Sequence, residues 1–234
     1  GRHIPRFVAS GDLDNLPYLV MEYIPGHTLE QVLDTAESTP GSTSPTTIAR
    51  IGAALGKAVH SLHKQNACHL DLKPANVLFR EKPDGSVDLD QVVLLDFGLS
   101  FHAHFPDLMA EELRKAVGSP TWIAPEQVVG VRGDPRSDVF AIGVMLYELA
   151  TGRLPFGSPS TTGGLRQRLW MDPVPPRLRN EQVPEWLQEV ILRCLEPEAV
   201  RRYPSAAHLA FDLQDPAQIR ITRRGKQMVR TSFW

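Results

Sequence analysis

H-L-D-L-K-P-A-N-V-L-F at residues 69–79 and V-V-L-L-D-F-G at residues 92–98 decide how this 234-residue chain is read. Residues 77–79 and 92–95 are apolar runs, rich in branched side chains and too short for helices, which predicts two short strands. Between them Pro83-Asp84-Gly85 predicts a turn, because proline presets φ and glycine accepts positive φ without steric cost. The strands then pair as an antiparallel ribbon. Asp71 and Asn76 stand just before the first strand and Asp96 just after the second, with Lys73 between the acids. Three oxygen-bearing side chains are thereby expected at one end of a hairpin. Such oxygens suit Mg²⁺, a hard cation held by one or two carboxylates together with substrate phosphates.

Outward from this stretch, composition is that of an ordinary globular protein, at 42% hydrophobic and 22% charged residues. The length allows one large domain or two small ones with a sizeable core. A net charge of −2 gives no general attraction to nucleic acid or anionic lipid. Cys68 and Cys194 form neither a C-x-x-C pair nor a disulfide framework, which points to a reducing, cytoplasmic setting. No signal peptide is visible, and the longest apolar run, 139–147, is far below the roughly 20 residues that cross a bilayer.

Residues 7–10 and 18–23 read as strands around a turn rich in Gly, Asp, Asn and Pro. Thr28 and Gln31 form a capping box for a short helix ending near Thr35, and 36–45 is a Ser/Thr/Pro/Gly-rich loop. Ser44 caps and Pro45 opens a long helix on which Ile48, Ile51, Leu55, Val59 and Leu62 recur at helical spacing. His60 and His63 lie three apart on it, but no ligand set completes around them. Residues 154–184 are irregular, with a short helix expected over 165–170. Pro184 then opens a helix with Leu187, Val190, Ile191 and Cys194 on one face, so Cys194 is expected to be buried filler. Ser205 is expected to cap a last helix through Leu213. The tail, 216–234, carries Arg220, Arg223, Arg224, Lys226 and Arg230 with no acid, and ends on Phe233 and Trp234. It reads as a linker to a further domain or membrane span, with direct binding of anionic lipid or nucleic acid as the alternative.

Four motifs, in order, resemble those of the eukaryotic-type (Hanks-type) protein kinases. H-L-D-L-K-P-A-N stands where that family writes H-R-D-L-K-P-x-N, and Asp96-Phe97-Gly98 is its D-F-G. G-S-P-T-W-I-A-P-E at 118–126 matches its A-P-E region, and S-D-V-F-A-I-G-V-M-L-Y-E-L at 137–149 its central buried helix. The resemblance implies an α+β, protein-kinase-like fold: a mostly helical C-terminal lobe over 25–215, a remnant of the small-lobe sheet and hinge over 1–24, and a basic tail over 216–234. It implies ATP and Mg²⁺ as cofactors, Asp71 as acceptor of the substrate hydroxyl's proton, Lys73 as the cation near the transferring phosphate, and Asn76 and Asp96 as metal ligands. By the same resemblance Met21 is the gatekeeper, Glu22 to Ile24 form the adenine-binding hinge, Leu78 packs against adenine, and His69 and Phe97 are structural. Lysine followed by proline after Asp71 is the serine/threonine form of the loop. Ser119 matches a hydroxyl that contacts the equivalents of Asp71 and Lys73, Glu126 and Arg202 a buried ion pair, and Asp138 a helix cap bonded to the catalytic-loop backbone. Trp122 replaces a usual tyrosine of the peptide-positioning loop. Ala75 stands where relatives that select basic residues often carry an acid, so no strong demand for an upstream arginine is expected.

One departure is Leu70, in place of an arginine that normally receives a phosphate on the activation loop. Leucine cannot do this, so reduced dependence on loop phosphorylation is expected, with Ser100, Ser119 and Thr121 as the remaining candidate sites. The chain opens on Gly1 without a G-x-G-x-x-G loop or a strand lysine, which reads as a piece of a longer, bacterial-looking protein. The expected function is transfer of the ATP γ-phosphate to a Ser/Thr hydroxyl of a protein. The alternatives are a kinase-like scaffold (pseudokinase) acting by protein binding and a small-molecule kinase of related fold, against which the A-P-E segment speaks. No nucleic acid partner is expected. Residues 1–234 alone lack the family's phosphate-covering loop and are predicted to transfer little or no phosphate; robust ATP-dependent phosphorylation by the purified 234-residue chain would refute this.

Overall fold

The structure, a computed structural model, describes residues 2–35, 41, 43–107, 118–159, 161–222 and 224–225. Strands β1 (Phe7–Leu13) and β2 (Leu16–Met21) form an antiparallel hairpin. Its two-residue turn has Asp14 and Asn15 at φ 54° and 65°, the paired positive values that match the right-handed twist of the strands and that Asp and Asn tolerate. β3 (Gly26–Thr28) runs straight into α1 (Leu29–Thr35). The capping box is present: the Gln31 amide nitrogen of the backbone donates to Thr28 Oγ1 at 3.2 Å, and the Thr28 N–H donates to Gln31 Oε1 at 2.9 Å.

Helix α2 (Pro45–His63) starts as expected, with Ser44 Oγ accepting from the Thr47 N–H at 3.1 Å, and buries Ile48, Ile51, Leu55, Val59 and Leu62. β4 (Ala67–Cys68) follows, then the loop that carries Asp71, then β5 (Val77–Glu81) and β6 (Val87–Leu94). β5 lies between β3 and β6, with Val77 opposite Leu94 and Phe79 opposite Val92. Both strands run further toward the turn than the apolar runs suggest. Val87-Asp88-Leu89-Asp90 alternates, the pattern of a half-exposed strand, and the Lys82 N–H to Ser86 carbonyl bond at 2.8 Å closes the turn with Gly85 at φ 82°. β7 (Phe101–His102) pairs with β4.

Then come α3 (Pro125–Val128), α4 (Arg136–Thr151), α5 (Thr162–Arg166), α6 (Pro176–Arg179), α7 (Glu185–Cys194) and α8 (Ala206–Gln214). α4 is the centre of the large core, buried on almost every side, which is why its sequence is apolar all round rather than striped. It stops at Gly152, whose φ of 65° sets up the left-handed cap and whose N–H donates to the Glu148 carbonyl. α7 packs on α4 through Leu187, Val190, Ile191 and Cys194, all fully buried. Burial pushes the Cys194 thiol up to about 12, the behaviour of an inert filler.

Three local expectations need correction. Ser205 precedes α8 but its hydroxyl pairs with His208 Nδ1 at 2.8 Å instead of capping a backbone N–H. Asp138 is not the cap of α4; it is the third residue of that helix, and Asp134 accepts the Arg136 N–H at 2.9 Å. The short helix expected over 165–170 starts earlier, at Thr162, because Thr161 Oγ1 accepts the Gly164 N–H. Part of the basic tail lies on the domain: Thr222 donates to Glu189 Oε2 at 2.7 Å, and Arg224 donates to Glu196 Oε1 at 2.6 Å. Arg223, Lys226, Arg230, Phe233 and Trp234 fall outside the described residues, as do most of the 36–45 loop and residues 108–117 of the connection after Asp96. No described helix is long and apolar enough to cross a membrane.

The α4–α7 contact is close because position 143 is glycine: a Cβ there would sit 2.4 Å from Cys194 Cβ. Gly143→Ala is therefore predicted to lower stability by about 1–3 kcal/mol through overpacking, despite alanine's better helix propensity. Chemical denaturation of the two proteins checks the sign; an unchanged or raised midpoint contradicts this packing.

Candidate active site

The loop between β4 and β5 is held from beneath by one carboxylate. Asp138, 1% exposed, accepts the His69 N–H on Oδ2 at 2.9 Å and the Leu70 N–H on Oδ1 at 2.8 Å, while His63 Nε2 lies 2.8 Å from Oδ2. Burial pushes its pKa up, but the His63 bond and the His63 and His69 charges outweigh this and hold it below the ordinary carboxylate range. A buried amide completes the clamp: Gln127 Nε2 donates to the Leu70 carbonyl at 2.9 Å and Gln127 Oε1 accepts the Ala124 N–H at 3.0 Å. These bonds keep Leu70, itself 3% exposed, at φ 62°. For a side chain other than glycine that conformation costs about 1–3 kcal/mol, so the loop is held in shape from both sides.

The fixed turn presents Asp71 to a second pair of groups. Lys73 Nζ lies 3.0 Å from Asp71 Oδ2 and 3.1 Å from Ser119 Oγ, and the Ser119 N–H donates to Asp71 Oδ1 at 2.8 Å. Ser119 thus reaches both residues, the lysine through its hydroxyl and the acid through its backbone. Asp71 is largely buried, yet every bond it accepts leaves further acceptor capacity on each oxygen. The arrangement is a fixed carboxylate beside a fixed ammonium, able to take a proton on one side and to meet negative charge on the other.

The hairpin joins Asn76 to Leu95, the residue before Asp96, and His69 adds a second bond to Leu95. The Leu95 N–H donates to the Asn76 carbonyl at 2.9 Å, and His69 Nε2 lies 2.9 Å from the Leu95 carbonyl. The residue after Leu95 is Asp96, held at φ 59° with Oδ1 accepting the Gly98 N–H at 3.2 Å. Asn76 donates its Nδ2 to the Asp71 carbonyl at 3.0 Å, which commits the nitrogen and leaves the amide oxygen as its acceptor. One amide oxygen and one exposed carboxylate make a hard, singly charged oxygen set, which fits Mg²⁺ bound mainly through substrate phosphates. Beside them Ile24, Leu78 and Val93 form a small apolar cluster with Leu95 against it. Glu22 stands at the strand end, its carboxylate near Arg6 and Arg80 and its N–H bonded to the Arg6 carbonyl. Met21 is not part of the apolar cluster; it ends β2 and is half exposed.

Below the site the Glu126–Arg202 pair is bidentate, with both nitrogen–oxygen distances 2.7 Å and Arg202 2% exposed. Ser137 Oγ adds a bond to Glu126 Oε1 at 2.6 Å. A sequence model of the protein kinase domain matches residues 2–212. The chain belongs to the protein kinase family. It is 32% identical over 198 residues to the serine/threonine-protein kinase PknB of Mycolicibacterium smegmatis, covering 85% of this chain and 30% of that protein. PknB of Mycobacterium tuberculosis is 31% identical over the same length and coverage, and a probable serine/threonine-protein kinase of Clostridium perfringens 29% identical over 204 residues, covering 87% and 28%. The chain spans about 30% of the length of these curated relatives.

Within this kinase domain, sequence reasoning missed two holding residues. Sequence spacing shows His63 only as half of a histidine pair, because its partner Asp138 lies 75 positions away in the chain. Gln127 follows the A-P-E motif with no signal of its own, since an amide that bonds two backbone groups looks like any surface glutamine. Because the folded-state pKa of Asp138 is depressed, its ionised form adds stability above the unfolded carboxylate pKa of about 3.9, and this is lost as pH falls through the folded value. Asp138→Asn is accordingly predicted to be less stable than the unaltered protein near pH 7, with the gap closing below about pH 4; a gap that stays constant from pH 7 to pH 3 would contradict the linkage.

Proposed function

We propose that this chain is the catalytic large lobe, with hinge, of a serine/threonine protein kinase that transfers the ATP γ-phosphate to a protein hydroxyl. The observation that carries the reading is the Asp71–Lys73–Ser119 constellation on a loop immobilised by Asp138. Asp71 accepts the proton of the acceptor hydroxyl, a general-base role worth about 10²- to 10⁴-fold. Lys73 faces the same side and offsets negative charge that gathers on the transferring group. The short Lys73–Ser119 bond keeps that ammonium from swinging away. Asn76 and Asp96 would hold Mg²⁺, and Ile24 and Leu78 would form the wall for the adenine ring, with the backbone of 22–24 as its hydrogen-bonding edge and Met21 at its rear. When bound, ATP with Mg²⁺ supplies the phosphoryl group and the divalent charge.

Residues 1–24 act as the end of the small lobe and hinge, 25–215 as the large lobe and 216–234 as a basic extension. The lysine-proline form of the loop and the serine/threonine-kinase names of its relatives favour an aliphatic hydroxyl over a phenol. Free buried thiols and a need for ATP favour the cytoplasm. Leu70, apolar and buried, offers no cation to an activation-loop phosphate, which supports weak dependence on phosphorylation there.

In the full-length protein Asp71→Asn is expected to lower kcat at least about 100-fold on a Ser/Thr peptide while ATP binding is retained. Ser119→Ala, which removes the hydroxyl but keeps the backbone bond to Asp71, is expected to cost less. Radiolabelled phosphate transfer measures both; wild-type-like turnover by Asp71→Asn, with labelled product confirmed, would sink the reading.

A further inference from the structure

Arg168 is the largest fully buried side chain of the described residues, and none of those residues offers it a carboxylate. It lies in the single 3₁₀ turn Gln167–Leu169 after α5. Its Nη1 donates to the Ile123 carbonyl at 2.5 Å, while Nε and Nη2 are buried with no hydrogen-bond partner among the described residues. Desolvation alone pulls its pKa down to about 10, so the group is still charged at neutral pH. Burying a cation without a counter-charge is expensive.

What it holds is the loop 119–126. The Arg168 guanidinium sits over the Phe156 ring at 5.5 Å, Phe156 stacks on Phe140 at 5.8 Å and 14°, and the Arg202 guanidinium sits over Phe140 at 4.9 Å. The result is a continuous stack of cation, ring, ring and cation that runs through Phe140 of α4. Arg202 at one end grips Glu126; Arg168 at the other grips Ile123. Ser119, at the start of the same loop, touches Asp71 and Lys73. The two ends of the stack differ in one respect. Arg202 is neutralised by a carboxylate, whereas Arg168 spends its charge on one carbonyl and one ring, so the loop is fixed firmly at 126 and by a single charge-assisted bond at 123.

We propose that Arg168 is a positioning residue for the protein substrate: it sets the height of the loop at Ile123, and through it the surface on which the acceptor peptide lies. The proposal rests on the kinase reading given above. It requires that loss of the Ile123 bond weaken use of the peptide and spare use of ATP, whose proposed contacts lie on Ile24, Leu78, Asn76 and Asp96.

The test uses the full-length protein with Arg168→Met, which keeps length and apolar packing but no donor, and Arg168→Lys, which keeps charge and one donor. For Arg168→Met the expected result is a KM for a Ser/Thr peptide raised about tenfold, the loss of one charge-assisted bond, with the KM for ATP unchanged, and faster amide hydrogen exchange confined to 119–126. Arg168→Lys is expected to recover part of both effects. Equal rises in the two KM values, unaltered exchange at 119–126, or a general loss of protection that Arg168→Lys does not repair would each overturn the proposal. Should the unaltered protein transfer no phosphate to any peptide, the kinase reading fails by itself, and the exchange comparison still decides whether Arg168 fixes the loop.

Discussion

One ionised carboxylate in the interior, Asp138, governs how the rest of the site is placed. A single buried side chain on the central helix fixes two consecutive backbone N–H groups and a histidine ring, and the loop that carries Asp71 has no other tie to α4 of comparable strength. The desolvation cost of an interior carboxylate runs to several kcal/mol, and three donors aimed at it offset that cost. The direction of the bargain matters for chemistry: a helix that is the most buried element of the fold is also the stiffest, so its third residue is a better anchor for a catalytic loop than anything at the surface. The strain at Leu70 belongs to the same arrangement. A left-handed leucine would relax in a free loop, and it does not relax here because its N–H and carbonyl are both taken.

The parts of this fold that sequence could reveal are those governed by local rules. The capping box at Thr28, the serine cap and proline start at Ser44-Pro45, and the hairpin through Gly85 depend on side chains within four residues of one another, and all are present. The apolar face of α7 follows from spacing alone. Where two donors competed for one side chain, locality misled. Ser205 is a sound cap by type, but His208 one turn on offers a ring nitrogen at the same reach. Asp138 looks like a cap because acids favour the first turn of a helix, yet its oxygens turn toward a loop 68 and 69 positions away. The kinase resemblance supplied that distant bond; the periodicity of α4 does not contain it. Gln127 and Arg168 were illegible for the same reason, since each acts through a carbonyl far along the chain and a carbonyl has no sequence signature.

The site itself divides into a half that is fixed by the large core and a half that is not. Asp71, Lys73 and Ser119 rest on Asp138, Gln127 and the Glu126–Arg202 pair, all buried in or against the main core. Ile24, Leu78 and Val93 form a separate, much smaller cluster, and the β1–β2 hairpin beyond it exposes Phe7, Val8, Leu19 and Val20. A two-stranded ribbon with apolar side chains on both exposed faces gains little from its own packing. Its attachment to the rest runs through a few bonds, notably His3 Nδ1 to the Val92 carbonyl at 2.9 Å, the Leu94 N–H to the His3 carbonyl at 2.9 Å, and the contacts of Glu22.

This division has a physical consequence for catalysis. Positioning of the proton acceptor needs sub-ångström constancy, whereas the wall of a nucleotide site must open and close around its ligand. In the proposed reading, the first requirement falls on groups held by the main core, and the second on a small cluster tied by surface hydrogen bonds and weak ion pairs. Asn76 lies at the seam between them, its Nδ2 on the Asp71 backbone and its carbonyl on Leu95, next to Asp96. Movement of the hairpin end therefore pulls, through the Asn76 backbone carbonyl, on the same residue whose side chain steadies Asp71. In this way the two halves remain in register although only one of them is rigid.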